Sequence, residues 1–453
     1  MNRIVRIANG QGFWGDSIDA PVHLVERGGI DFLTLDYLAE VTLSIMQRQR
    51  LKNPESGYAR DFVELAARIL PRCLERDIRV VTNAGGVNPR ACREALGRVA
   101  AKLGKRVRIG VVEGDDILGR VAELEAAGAN FRNLETGESF GAVRDRISSA
   151  NVYIDSFCLA EALDQGAQIV LAGRVSDPGL ALGPLVHAFG WGRADWDLLA
   201  AGTLAGHVTE CGAQCTGGNH SRWWEVPDLA GIGYPVVEAG PDGSFVVTKQ
   251  PGSGGMVTRE TVGEQILYEM GDPHNYISPD VRVDFTSFQL EEEARDRVRI
   301  SGVRGLPATD TYKVSFSYHA GWKAHGQLTV SGPRARLKAA RVAEIIWERL
   351  RQAGCRFEHT ETEFLGLDSC HPGIRPAPAQ LNEVVLRLGV RDPDAGMVER
   401  FGKELAPVIT NGPPGITGFA GGRPKPQEII AYWPALVPKQ LIRTSVNVEE
   451  AGA

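Results

Sequence analysis

The chain has 453 residues, 43% of them apolar and 23% charged, and its 50 Lys+Arg against 56 Asp+Glu give a formal net charge of −6. That length suits two or three domains of about 150 residues each, and the composition excludes disorder for most of the chain. Mild acidity without any long Lys/Arg run excludes a polyanion footprint, so nucleic acid is set aside and a small-molecule ligand is expected.

From residue 4 to about 190, short β-branched runs alternate with segments of helical period, the pattern of βαβ units and a parallel sheet. Strands are predicted at Ile4 to Ala8, Phe32 to Asp36, Ile78 to Asn83, Val107 to Glu113, Val152 to Asp155 and Ile169 to Ala172. Helices are predicted at Phe62 to Glu75 and at Pro89 to Leu103, where Asn88 can cap and Pro89 suits the first turn. Beyond about residue 230 the texture changes to longer alternating runs, including Ser244 to Gln250, Val281 to Phe285, Arg297 to Ile300, Tyr312 to Ser317 and Gly326 to Ser331. One helix, Arg336 to Ala353, interrupts them, and the segment from Pro376 carries a helix around Gly396 to Ala406 and then Ile429 to Leu436. The expected fold is α/β: an open, mostly parallel Rossmann-like sheet domain over 1–230, an α+β domain over 231–375, and a segment 376–453 completing one of the two.

No apolar stretch approaches the ~20 residues that span a bilayer, and the N-terminus lacks an apolar leader. No membrane partner is therefore expected, and a cytoplasmic location is. The seven cysteines are scattered and odd in number, which reads as reduced thiols.

Glycine is the outlier, at 53 residues, and much of the excess sits in clusters at the ends of apolar runs. In open α/β sheets ligands bind outside the carboxyl ends of the strands, so these clusters are expected to face one cavity. Gly10, Gly12 and Gly15 follow the first strand in a G-x-G-x-x-G pattern, and Asp36 ends the next strand where a ribose-binding acid would stand. Asp16 and Trp14 fit a pyrophosphate site poorly, and a tight turn with Asp16 as a cap is an equal reading. Asn83, Gly85 and Gly86 make a candidate carbonyl-binding nest or a plain turn. They are not a short-chain dehydrogenase motif, because no Tyr has a Lys four residues on.

His207, Glu210, Cys211, Cys215 and His220 bring imidazoles, thiols and a carboxylate into 14 residues. Zinc would accept such groups, but no Cys-x-x-Cys pair is present and no metal is assigned. Cys211 as nucleophile, or Glu210 and His207 as general base and acid, are the catalytic readings, the second being preferred. Lys249 with Gly254, Gly255 and Thr258 forms a glycine-rich loop before a helix predicted at Arg259 to Met270, a candidate anion site or a hinge.

Taken together, Gly12 to Asp16, Leu35 to Glu40, Asn83 to Gly86, Gly173 to Asp177, Gly206 and His207 with Glu210 to Gly212, and Gly254, Gly255 with Thr258 resemble the acyclic terpene utilisation (AtuA) family over most of the chain. The resemblance implies an α/β core found near enzymes that degrade branched acyl-CoA compounds. It also implies that a C-terminal ferredoxin-like domain of longer members is absent here or supplied as a separate small subunit; a homo-oligomer is expected besides.

The preferred reading is a catabolic enzyme of lyase or hydratase type, abstracting a proton from a branched hydroxyacyl or enoyl acid or its CoA thioester. Asp16, Asp36, Glu40 and Glu210, with His207 and Cys211, would surround the reacting carbon. Asn83 with the Gly85 and Gly86 amides would hold the carbonyl oxygen, and Arg174, Lys249 and the Gly254 to Thr258 loop the anionic groups. No cofactor is required, CoA entering only as part of the substrate. Two alternatives stay open: an NAD(P)-dependent oxidoreductase using Gly10, Gly12, Gly15 and Asp36, and a non-catalytic subunit of an acyl-CoA carboxylase-type complex.

Overall fold

The computed structural model describes residues 3–27, 29–367, 369–374, 380–418 and 421–452. The first half alternates β1 (Val5–Gln11), α1 (Ala20–Arg27), β2 (Phe32–Leu35), α2 (Glu40–Lys52), α3 (Arg60–Arg76), β3 (Arg79–Thr82), α4 (Pro89–Lys102), β4 (Arg106–Glu113) and α5 (Val121–Ala126). It continues through β5 (Ile147–Val152), α6 (Phe157–Asp164), β6 (Ile169–Leu171), α7 (Gly179–Phe189) and α8 (Trp196–Glu210). Then come β7 (Pro235–Ala239), β8 (Phe245–Lys249), α9 (Arg259–Leu267), β9 (Tyr276–Ile277), β10 (Arg282–Asp284), β11 (Gln289–Ala294), β12 (Arg297–Ser301), β13 (Arg304–Leu306) and β14 (Thr311–Ser331). The chain ends with α10 (Ala335–Gln352), β15 (His359–Leu365), β16 (Glu383–Asp392), α11 (Ala395–Glu404), α12 (Val408–Asn411), β17 (Gln427–Pro438) and β18 (Ser445–Gly452).

Two compact units result: residues 1–317 with 432–453, and residues 318–431. The changes of texture near 230 and 375 therefore fall elsewhere than the boundaries of these units. In the first unit a ten-stranded open sheet runs β11-β12-β8-β7-β1-β2-β3-β6-β4-β18. Its centre, β1-β2-β3-β6-β4, is parallel. Both flanks are antiparallel, through β7 on one side and β18 on the other. The expectation of a mostly parallel sheet is thus corrected to a mixed one: β7, β8, β12 and β11, which lie in the segment read as another domain, extend the first domain's sheet by antiparallel pairing, while β9, β10 and β13 form a separate three-stranded sheet. Alternation in sequence reports a strand with one covered face but does not name its partner.

The central parallel strands are largely apolar, as strands covered on both faces must be: Leu33, Leu35, Val80, Ile109, Ile169 and Leu171 are all buried in one core. On α3, Phe62, Leu65, Ala66, Ile69 and Leu70 repeat at helical spacing and face that core. Asn88 accepts from the Ala91 amide at the start of α4, with Pro89 at its first position. The strand expected at Val152 to Asp155 is displaced: β5 ends at Val152 and pairs with β14 instead of joining the parallel sheet.

The second unit runs β14, α10, β15, β16, α11, the short α12 and β17, a β-α-β-β-α-β order with α11 and α12 together in the second helical position. Its sheet runs β15-β16-β14-β17, and β16 pairs antiparallel with both β15 and residues 322–331 of β14. This is the split βαβ order of ferredoxin-like folds. Its core packs Val342, Ile346 and Leu350 of α10 against Val384, Leu386 and Leu388 of β16.

Two glycines bring the chain segments of the candidate site together. A Cβ on Gly12, just past β1, would lie 2.5 Å from the Gly212 nitrogen, and one on Gly206 in α8 would lie 2.3 Å from the Pro178 carbonyl oxygen. Backbone therefore meets backbone at both places. Gly12→Ala is expected to force these loops apart and lower stability by roughly 1–3 kcal/mol, read as a lower urea midpoint; a variant as stable as the parent would contradict the close approach.

Candidate functional site

A cavity of about 540 Å³ opens at the carboxyl ends of β1, β2 and β6 and at the end of α8. Gly12 and Phe13 come from the first loop, Asp36, Leu38, Ala39 and Glu40 from the second, Arg174 and Asp177 from the third, and Glu210 and Cys211 from the end of α8. Six of the residues singled out in the sequence, Gly12, Asp36, Glu40, Arg174, Glu210 and Cys211, thus share one wall system. Tyr153, Gln214, Tyr268, Glu269 and Lys313 complete the lining.

Arg174 is the buried cation of the site, with 2% of its side chain exposed. Its guanidinium lies 2.8 Å from Asp177, donates to the Leu38 carbonyl at 3.0 Å and stacks 4.1 Å from the Tyr153 ring centre. Its backbone amide donates to Asp115 at 2.7 Å, fixing the loop. Burial works against its charge, but Asp177, Tyr153, Asp36 and Glu40 outweigh burial and hold it protonated. Glu40 opens α2, where a carboxylate suits the helix dipole, and accepts a short hydrogen bond from the Tyr153 hydroxyl. Burial would raise its pKa, yet that bond, Arg174 and Lys313 hold it below the ordinary carboxylate range. Lys313 stands 3.7 Å from Glu40.

Two further carboxyls move the other way. Asp36 is pushed up to about 8, first by burial and then by the charge of Asp177, although Arg174 and the hydrogen bond from Asn83 oppose the shift. Glu210 is pushed up to about 7 by burial, with His207 opposing and Asp177 and Glu269 adding to the shift. His207 and Glu210 lie three residues apart on the last turn of α8, which puts them on one face. His207 Nδ1 is 2.9 Å from Glu210 Oε1, and Nε2 is 3.2 Å from the Ile266 carbonyl. A carbonyl only accepts, so Nε2 carries a proton and the Nδ1–Oε1 contact holds a second one shared between imidazole and carboxyl. Burial lowers the His207 pKa, but the net direction is upward because Glu210 faces it. Glu210 Oε2 has no hydrogen-bond partner. The pair is a proton store with one free oxygen on a residue of the cavity wall.

The other sequence candidates lie behind or away from this cavity. Asn83 is buried, donates to Asp36 at 2.7 Å and accepts from the Tyr37 amide at 2.7 Å, so its amide group is spent on holding Asp36. Gly86 lines a separate cavity with Arg50 and Glu113, while Gly85 packs against the Ala172 carbonyl and Pro89. Asp16 accepts from the Gly12 amide at 2.9 Å and from the Tyr234 hydroxyl, bracing the first loop. That amide is therefore not free for a pyrophosphate, Gly10 packs on Leu35 and Pro21, and nothing packs against the position of a Gly15 Cβ. Helix α1 starts only at Ala20. Lys249 is turned inward, donating to the Ser253 carbonyl and lying 3.3 Å from Asp296. Gly254 and Gly255 pack against the Asp228 and Thr216 carbonyls, and Thr258 caps α9. Cys211 does line the cavity, but burial and then Glu210 push its thiol up to about 12, which leaves little thiolate at neutral pH. Among the described residues no group of three or more His, Cys, Asp or Glu side chains is placed to hold a metal ion, and no helix is long and apolar enough to cross a membrane.

Sequence reasoning missed Tyr153, Lys313, Gln214, Tyr268 and Glu269 as lining residues. Asp177 stood inside a quoted motif but was given no role; its place three residues after Arg174 was the available signal.

The model of the acyclic terpene utilisation family protein AtuA matches residues 5–448. The chain belongs to that family. Its site loops are thus family segments, with the matched region covering both compact units. No match was found among curated proteins or among solved structures.

The pKa of Asp36 gives a sign for stability against pH. The unfolded chain holds an Asp near about 3.9 and the folded protein holds Asp36 near 8, so the folded state keeps the proton in between and stability falls as pH rises across that window. Glu210, near 7, acts in the same direction. Asp36→Asn keeps an acceptor for Leu38 and removes this loss. Its urea midpoint relative to the parent is expected to improve from pH 5 to pH 9; an offset that is equal at both values would contradict the buried, protonated carboxyl.

Proposed function

We propose that this AtuA-family protein is a catabolic enzyme of lyase or hydratase type, acting by proton transfer on a branched hydroxyacyl or enoyl acid or on its CoA thioester. The observation that carries the reading is the presence on one cavity of two carboxyls, Asp36 and Glu210, both pushed by burial into the neutral range. General acid–base catalysis works best when the pKa of each group lies near the operating pH, and paired carboxyls with neutral pKa values can hold opposite protonation states there.

In the dehydration direction, Glu210 in its carboxylate form takes the proton from the carbon next to the acyl carbonyl, and its partner His207 stabilises the proton on the pair. Asp36 in its protonated form gives its proton to the departing hydroxyl, so the C–O bond breaks as water leaves and the C=C bond forms. Hydration is the reverse. Lys313, at the rim beside Glu40, supplies a cation for the acyl carboxylate or thioester carbonyl. Asn83 acts through Asp36 as a positioning residue, and Arg174 keeps the cluster of carboxylates together.

The reading is tested by incubating the protein with branched hydroxyacyl and enoyl acids and their CoA thioesters in D₂O, and following interconversion and deuterium uptake by mass spectrometry. Glu210→Gln and Asp36→Asn are each expected to slow turnover by about a hundredfold to ten-thousandfold, with Cys211→Ser within a few-fold of the parent. Turnover that survives both carboxyl substitutions would refute the assignment.

A further inference from the structure

A second cavity, of about 440 Å³, meets the first at Tyr153, Asp177 and Lys313, which line both. Its character differs. Beyond the shared residues its walls include Tyr276, Pro279, Tyr312 and Pro178, and three of the large apolar side chains that stand exposed on this protein rim it. These are Leu134 (48% exposed), Ile277 (57%) and Leu436 (39%). Scattered single apolar residues on a surface need no explanation, but three around the mouth of one cavity mark a binding surface. They stand on the segment before β5, on β9 and on β17, so no single element's amphipathic face accounts for their meeting.

The junction is polar, with its charges paired. Lys313 Nζ lies 4.7 Å above the Tyr153 ring and 3.7 Å from Glu40, while Asp177 is neutralised by Arg174 at 2.8 Å. A ligand lying across the junction would set an anionic or carbonyl group at the ammonium and an apolar remainder in the second cavity, a common division of labour in small-molecule sites.

We infer that this second cavity is the subsite for the hydrocarbon chain of the substrate, with Leu134, Ile277 and Leu436 setting chain-length specificity and Lys313 marking the point where the chain ends and the acyl head begins. The inference rests on the acid–base function proposed above for the head of the substrate, and it adds a long apolar chain as a required feature.

The test is calorimetric titration of straight-chain carboxylates from butyrate to dodecanoate into the intact protein, into Ile277→Asp and Leu436→Asp, and into Glu210→Gln. The parent is expected to gain about fourfold in affinity per added methylene until the cavity fills, the equivalent of about 0.8 kcal/mol for each buried CH₂. Both rim substitutions replace side chains more than a third exposed, so folding should be preserved; each is expected to flatten the series. Glu210→Gln is expected to keep the slope. A flat series in the parent, or a slope that survives both rim substitutions, would overturn the subsite. The two readings fail separately: a preserved slope with turnover indifferent to Glu210→Gln removes only the acid–base chemistry, and a flat slope with turnover abolished in that variant removes only the chain subsite.

Discussion

The Arg174 guanidinium, almost wholly withdrawn from water, has to find its counter-charges inside the protein, because an unpaired buried cation is far too costly to keep. It finds them on three different chain segments: Asp177 on its own loop, Glu40 and the Leu38 carbonyl after β2, and the face of Tyr153 after β5. Gathering those groups also gathers more carboxyls than one guanidinium and one rim lysine can balance. Glu40, with the Tyr153 hydroxyl and two cations near it, keeps its charge. Asp36 and Glu210, deeper and facing Asp177, are driven toward the protonated form. The chemistry proposed for the site follows from the burial of these two carboxyls first and from that imbalance second.

How the segments come to meet is a matter of backbone. The parallel strands end their loops on one side of the sheet, and α8 is admitted to that side because Gly206 lets it press on the Pro178 turn directly after Asp177. Gly12 does the same for the first loop against Gly212. Asp16, Asn83 and Asp115, each buried or braced by hydrogen bonds, hold the loops without lining the main cavity themselves. They separate the residues that contact a ligand from those that fix its surroundings.

Much of this was legible in the sequence. The ends of apolar, β-branched runs locate Gly12, Asp36, Glu40 and Arg174, because strand ends of a parallel layer share one side, and the three-residue spacing of His207 and Glu210 is that of a helical face. Other parts were not. Lys313 sits in an alternating run that reads as ordinary strand, and Tyr153 lies just past a strand whose partner, β14, is some 160 residues away in the chain; nothing local announces either. Gly254 and Gly255 look like a ligand cradle, but a glycine needed for packing against the Asp228 and Thr216 carbonyls has the same sequence appearance as one that admits a ligand. The strands β8 and β12 were legible as strands but not as the flank of the first sheet, since pairing is settled by tertiary contacts.

Asp36 and Glu210 are expected to titrate in the neutral range because of where they are buried. The most direct measurement is a ¹³C NMR titration of carboxyl-labelled protein, with Asp36→Asn and Glu210→Gln used to assign the two signals. Apparent midpoints near 8 and near 7 are expected. Two carboxyls titrating together in the ordinary range of about 3.5–4.5 would contradict it.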